Sequence, residues 1–440
     1  MRARSIVLLG AGVTYLVACT LVCLAAAETR PGLRFAGFAL MVVGYGVAAL
    51  ALLRPKDKRL TVLELGLLLG FGVLFRVGLF AGAPAGLGSS LGFAVPEPPG
   101  AVLRAPGVPP QPPLGVMLSV WILAARSEAW VGYLFLALCE LGTWALLLVM
   151  LEAGRESPAW LLLYVWNPLA AVAGATAALG CATAFLLVLG LWFFQRRLPG
   201  RGVALMGFSA AGSYALLPVL VAVVAGPLRR KLMGLVAVAG LLASGALVAL
   251  LWPSWRQALS QALRQGSQNA GLFALVEWLT RSRLAAWAVA AAICAFTGLA
   301  FGREEPLAVS ARALQAAILS APVVLAGGLY VLTPLLVLRP SAAWVGFSCA
   351  VLLLQVWFGG GPVPWSWLLV EYGSLAAGLL AERVLWRRGG PAPGAPSSPA
   401  VVAETSAESA AQAGYSGGWS CSRSSLARRM SFSVSGLVRG

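Results

Sequence analysis

Apolar residues run along this chain in long blocks, and most of the charge is confined to the short stretches between them. A membrane crossing needs roughly 20 mostly apolar residues to traverse about 30 Å of hydrocarbon. Blocks of this kind fall at about 5–27, 33–53, 60–82, 129–151, 158–174, 178–194, 232–252, 284–301, 307–325, 326–338, 341–358 and 366–385, and they predict twelve spans. The first follows Met1-Arg-Ala-Arg4 and has the layout of a signal peptide ending at Ala25-Ala26-Ala27. It exceeds the 7–15 residues usual for a signal core, so it reads as an uncleaved span.

The block at 203–226 is different. Arg196, Arg197 and Arg201 precede it, Arg229-Arg230-Lys231 follow it, and Gly212-Ser213 and Pro218 interrupt it. Broken helices at membrane depth are tolerated where protein covers the exposed backbone. The expectation is a re-entrant pair of half-helices, with both basic flanks on one side.

Charge tests this arrangement, because cytoplasmic loops carry an excess of Lys and Arg. With the N-terminus inside, the inside loops hold 19 of the 32 basic residues, the C-terminal tail 4, the outside loops 8, and Arg76 lies within a span. Both termini are therefore expected in the cytoplasm, and a crossing at 203–226 would place Arg387-Arg388 outside. Trp121, Trp130, Trp192, Trp252, Trp365 and Trp386 lie near predicted span ends, where an interfacial belt forms.

Composition agrees: 60% of residues are hydrophobic and 11% charged, against about 45–50% and about 25% in soluble domains. The expected fold class is all-α, a polytopic membrane helical bundle over 1–388. Residues 389–440 are rich in Pro, Ser, Ala and Gly and read as a disordered cytoplasmic tail. Two outside loops are long. Residues 83–113 carry nine prolines, and 253–283 contain an amphipathic stretch with Trp255, Ala258, Leu259, Ala262 and Leu263 on one face. The net charge of +17 follows from the loop arginines and faces membrane lipids; no basic–aromatic strip points to nucleic acid. With no histidine in the chain, His-containing zinc sites and Ser/His/Asp triads are excluded. No metal or cofactor is expected. Six of the seven cysteines lie in apolar segments, no CxxC occurs, and Cys19 and Cys23 read as packing residues.

Several elements resemble a known family. Pro158-Ala-Trp-Leu-Leu-Leu-Tyr-Val-Trp-Asn-Pro-Leu169 is similar to the family's "PAWALLLYAWNPL" element, and Pro112-Pro113-Leu114 to its "YPPLAQLLF". Asn269-Ala-Gly-Leu-Phe-Ala-Leu275 resembles "NSGLFALL", and Trp367-Leu-Leu-Val-Glu-Tyr-Gly373 its final span. In this order, from about 64 to 385, they resemble the bacterial GT-C-type polyprenol-dependent glycosyltransferases, especially the mannosyltransferase-like branch. The resemblance implies transfer of a hexose from a polyprenyl-phosphate donor to a glycan acceptor on the outer face of the bacterial inner membrane. An acid in the first outside loop would activate the acceptor, and a basic residue would neutralise the departing phosphate.

The departures concern chemistry. Where the family has "DDIYRYLWDG", Leu74-Phe75-Arg76 is followed by Ala81-Gly-Ala-Pro-Ala-Gly-Leu-Gly-Ser-Ser90, which holds no acid. Its "GHxD" is replaced by Gly174-Ala-Thr-Ala-Ala-Leu-Gly180, and its "KxxP" lysine is missing from Gly212-Ser-Tyr-Ala-Leu-Leu-Pro218. The expectation is a GT-C-like pseudoenzyme, impaired in the usual mechanism. The alternatives are an active transferase with relocated acids, and a transporter or scaffold. Glu97, the only carboxylate in its loop, is the candidate base. Arg76 either binds the donor phosphate or snorkels or pairs with a glutamate, since an unpartnered charge in a span costs roughly 2.5–3.5 kcal/mol or more. Glu140, at mid-span, is either its partner or a substrate contact. Glu64, Glu277 and Glu371 read as helix-end or interface residues.

Overall fold

The computed structural model describes residues 3–27, 31–53, 60–82, 130–176, 178–213, 216–224, 240, 250, 270–301, 304–322, 324, 326–358 and 363–387. Loop 83–113 with Glu97, most of 225–269 and tail 389–440 lie outside these residues. Among the described residues every regular element is a helix.

Four helices are long and apolar enough to cross a membrane: α1 (Ala3–Ala27), α2 (Pro31–Leu53), α3 (Val62–Gly82) and α4 (Trp130–Ala153). Their outward faces are apolar too. In α1, Leu8, Ala11, Tyr15, Ala18, Cys19 and Val22 are buried, while Ile6, Val13, Val17 and Leu24 stand exposed. A water-facing helix would put polar side chains there; this face is suited to lipid. The described part of the chain is thus a helical membrane protein. Helix α3 begins with a capping box. Thr61 Oγ1 accepts from Glu64 N (3.2 Å), and Glu64 Oε2 accepts from Thr61 N (2.8 Å), which satisfies two N–H groups that a helix start leaves orphaned.

Side-chain pairings set the helix directions. Gly37 lies against Val22 and Ala18, and Gly44 against Ala11 and Tyr15, so α2 runs antiparallel to α1. Phe71 meets Gly12 and Cys23 meets Gly82, so α3 runs parallel to α1. Phe80 packs edge-on to Tyr133, with ring centroids 5.6 Å apart, and Gly72 faces Trp144, so α4 runs back beside α3.

After Arg155 the chain does not cross in one straight helix. A 3₁₀ turn (Pro158–Leu161) leads into α5 (Leu162–Val165), and α6 (Pro168–Ala175) follows at a bend of 62°. The sequence block 158–174 reads as a single uninterrupted span, and Asn167-Pro168 overrides that reading. Pro168 has no N–H to continue the ladder. Asn167 acts as N-cap instead, its Oδ1 accepting from Leu169 N at 3.0 Å. The bent pair is a fifth candidate span.

Helix α7 (Gly180–Gln195) starts level with Glu140 and runs in the direction of α4, with Phe185 over Gly142. Helix α8 (Pro199–Gly212) folds back along it. At their crossing the backbones touch: a Cβ on Gly202 would stand 2.9 Å from Gly190 O and 2.7 Å from the Phe194 ring. Ser209 Oγ donates to Thr183 O at 2.8 Å further along. Small residues that admit such an approach are a main source of helix association in lipid. Helix α8 ends at Ser213, whose backbone is extended, and α9 (Leu217–Val224) follows, where Gly212-Ser213 and Pro218 announce an interruption.

The remaining described helices are α10 (Leu272–Thr280), α11 (Arg283–Phe301), α12 (Pro306–Ser320), α13 (Ala326–Tyr330), α14 (Thr333–Leu338), α15 (Ala342–Trp357) and α16 (Trp365–Arg387). The block at 326–338, expected as one span, is divided into α13 and α14 by a turn at Val331-Leu332, with Pro334 opening the second piece. Glu382 of α16 caps α15 from outside, accepting from Ser341 Oγ (3.0 Å) and Ala343 N (2.9 Å).

The α7–α8 contact yields a paired expectation. Gly202→Ala will destabilise the detergent-solubilised protein by about 1–3 kcal/mol through overpacking. Gly66→Ala, where an added Cβ meets nothing within 4 Å, will stay within about 0.5 kcal/mol of the parent. Thermal unfolding of the two variants in one detergent checks both; equal midpoints would remove the close-contact account.

Candidate functional site

The break between α5 and α6 leaves carbonyls without helical partners, and their replacements define the polar centre of the bundle. Tyr164 O takes Asn167 N at 3.2 Å. Leu163 O accepts from Tyr45 Oη at 3.4 Å. Val165 O accepts from Arg76 Nη1 at 2.8 Å. In hydrocarbon each unsatisfied group would cost several kcal/mol, so a broken helix requires donors from its neighbours.

Arg76 sits in the second half of α3 and is 9% exposed. Its Nη1 also donates to Gly72 O one turn back (3.0 Å). Its Nη2 and Nε donate to Glu140 Oε1 of α4, at 2.7 and 3.2 Å. Trp144, one turn on from Glu140, gives its Nε1–H to the same oxygen at 3.3 Å, and its ring lies 4.6 Å from the guanidinium carbon. Glu140 Oε2 is met by the hydroxyls of Tyr164 and Tyr330, each at 2.6 Å. Those hydroxyls are 2.5 Å from each other, and Tyr330 Oη is 3.6 Å from Cys181 Sγ. Each phenol carries one proton, so two protons serve three short oxygen contacts.

Packing holds this pair in place. A Cβ on Gly174 would stand 2.7 Å from Arg76 Nε, and one on Gly72 would stand 2.2 Å from Val165 Cγ1. Only glycine leaves room at both positions. Below the pair, Tyr15 stacks on Phe75 with centroids 3.9 Å apart, and Trp166 stands edge-on to Phe75 at 5.2 Å and to Phe71 at 5.8 Å. Trp166 Nε1 donates to Leu68 O at 2.8 Å. The aromatic cluster therefore also ties the broken helix to α3.

No family model, curated protein or solved structure matches this chain. A buried ion pair repays its desolvation only when its remaining donors and acceptors are hydrogen-bonded, and both members here approach that condition. The guanidinium makes four hydrogen bonds with five N–H groups. Both carboxylate oxygens are occupied by donors. Four of the five guanidinium N–H groups are taken, so a phosphate would find at most one free donor unless Arg76 gave up Glu140 or a carbonyl.

The other candidates are scattered. Glu64 is consumed by its capping box, with Oε1 buried and unpartnered among the described residues. Glu277 is half-buried on α10. Glu371 is 2% exposed, and its Oε1 has no partner among the described residues. The neighbouring Tyr372 ring lies against Gly271, where a Cβ would meet it at 2.6 Å. The 270–275 and 367–373 stretches thus touch at Gly271 and Tyr372. Tyr164, Trp144, Gly174 and Tyr330 were not singled out by sequence reasoning. Trp144 carries a readable signal, the i, i+4 spacing to Glu140. Tyr330 carries none, since it meets a carboxylate 190 residues away.

Breaking one side of this pair will be costly. Arg76→Met or Glu140→Leu alone will destabilise the folded protein by about 3–5 kcal/mol, and the two together will recover most of the loss. Tyr330→Phe will cost about 1.5–3 kcal/mol, as for a hydrogen bond to a charged group. Unfolding in detergent measures all four, and additive single-variant losses in the double variant would remove the pairwise account.

Proposed function

We propose that this chain is a GT-C-like integral membrane protein, related to glycosyltransferases that take a sugar from a polyprenyl-phosphate donor, and that it does not run the usual reaction. The observation that carries this reading is the state of Arg76. The cation expected to meet the donor phosphate is engaged with Glu140, Val165 O and Gly72 O. Gly174, which opens the stretch lacking the family's acid, is the residue that makes room for the guanidinium. The polar centre then serves as a clamp between α3, α4, the broken α5–α6 segment and α13. In this reading the chain has about twelve spans plus the re-entrant pair. It lies in a bacterial inner membrane with both termini in the cytoplasm, and its standing partners are membrane lipids.

Two measurements test it. Purified protein in vesicles with radiolabelled polyprenyl-phosphate mannose or glucose and a glycan acceptor will transfer no more label than empty vesicles. Transfer abolished by Glu97→Gln would instead establish an active enzyme with a relocated base. For the layout, reporters fused after Arg59, Leu198 and Arg388 will report the cytoplasm, and reporters fused after Pro113 the outside. A reversed signal after Arg388 would mean that 203–226 crosses.

A further inference from the structure

Among the described residues, three non-glycine residues adopt a left-handed backbone, and all three are arginines: Arg155 (φ 55°), Arg197 (φ 59°) and Arg281 (φ 53°). Arg155 and Arg197 end their helices alike. The next residue's N–H reaches back five residues, Glu156 N to Leu151 O at 2.8 Å and Leu198 N to Phe193 O at 2.9 Å. The arginine's own N–H reaches back three residues, at 3.0 Å in both. This stop favours glycine, because a Cβ makes the left-handed region unfavourable. The chain has 51 glycines and places a guanidinium at both stops. A cation gains something from the helix C-terminal dipole, which offsets part of the strain.

The helix directions put these two stops at one end of the bundle, on the neighbouring helices α4 and α7. The turn from α7 to α8 adds Arg196 and Arg201. Arg196 lies 5.2 Å over the Trp192 ring and Arg201 5.8 Å over Phe193. Leu198 between them is exposed. None of Arg155, Arg196, Arg197 and Arg201 forms an ion pair with a described residue. No acidic residue occurs between Glu156 and Glu277, while eight Lys and Arg do.

From this we infer that the α7–α8 turn is a binding site for the headgroup phosphate of an anionic phospholipid, formed by Arg196, Arg197 and Arg201 above Trp192, Phe193 and Leu198. The three guanidiniums supply donors and charge for a phosphate. The rings and the exposed leucine give the attached glycerol and acyl chain an apolar footing, which a free phosphate ion would not use. Any basic loop would orient the chain in the membrane; a left-handed arginine in place of glycine commits charge to one spot. The site is independent of any glycosyltransferase relationship.

The test uses the purified full-length protein in neutral detergent, titrated with phosphatidylglycerol or phosphatidylcholine, with bound lipid counted by native mass spectrometry. The expected result is saturable retention of phosphatidylglycerol over phosphatidylcholine, weakened about tenfold or more in Arg196→Gln/Arg197→Gly/Arg201→Gln. A charge-matched control, Arg229→Gln/Arg230→Gln/Lys231→Gln, should retain the lipid. Arg197→Gly relieves a strained backbone, so it serves as a single, well-folded variant showing a smaller loss in the same direction. Equal retention of both lipids by the parent, or equal loss in the two triple variants, would overturn the proposal. So would displacement of the lipid by millimolar inorganic phosphate.

Discussion

A helix that breaks inside hydrocarbon leaves carbonyl groups that no water can reach, and the centre of this bundle is organised by that constraint. Asn167-Pro168 ends one helical ladder and starts another. The freed Val165 carbonyl takes a hydrogen bond from Arg76, and the freed Leu163 carbonyl takes one from Tyr45. A cation brought this deep then needs an anion, and Glu140 supplies it. The carboxylate in turn needs donors for its second oxygen, and Tyr164 and Tyr330 provide them. Each requirement follows from the one before. The result binds segments that are 64 and 190 residues apart in the chain.

Shape makes the arrangement feasible. Gly72 lets α3 approach Val165 of α5 and Trp144 of α4, and Gly174 lets α6 approach Arg76 of α3, until side chains fill the space a Cβ would take. The stacked Tyr15–Phe75 pair and the edge-on Trp166 close the space below. Glu371 presents the contrasting case of a buried carboxyl oxygen without a hydrogen-bond partner among the described residues. The Arg76–Glu140 pair, with four of the five guanidinium N–H groups and both carboxylate oxygens engaged, suits a structural clamp. A transfer site would need a cation and a base with bonding capacity still open to substrate.

The end of the bundle that holds Arg155, Arg196, Arg197 and Arg201 follows a different logic. Here the charges lie outside the core, none forms an ion pair with a described residue, and two of them occupy backbone conformations that glycine would adopt with less strain. Among the described residues the interior uses one buried arginine, Arg76, with its partners supplied by the fold. The end uses arginine repeatedly, with the membrane surface as the natural counter-charge.

The sequence by itself determined that the chain is helical and made for a membrane, because apolar block length is a local property of consecutive residues. It also marked the interruption at Gly212-Ser213 and the need of Arg76 for a partner, since breakers and a charge in an apolar run stand out locally. It named Glu140 as one candidate partner without deciding between that role and a substrate contact. Asn167-Pro168 was equally visible, but the apolar run around it masked the 62° bend. Whether an Asn-Pro pair kinks a helix or breaks it depends on donors from elsewhere. Only the tertiary structure decided that Arg76 and Tyr45 are those donors, that Tyr330 completes the carboxylate, and that Gly174 clears space for the guanidinium. Those are meetings between residues far apart in the chain, and no local pattern encodes the distance at which two helices come to rest.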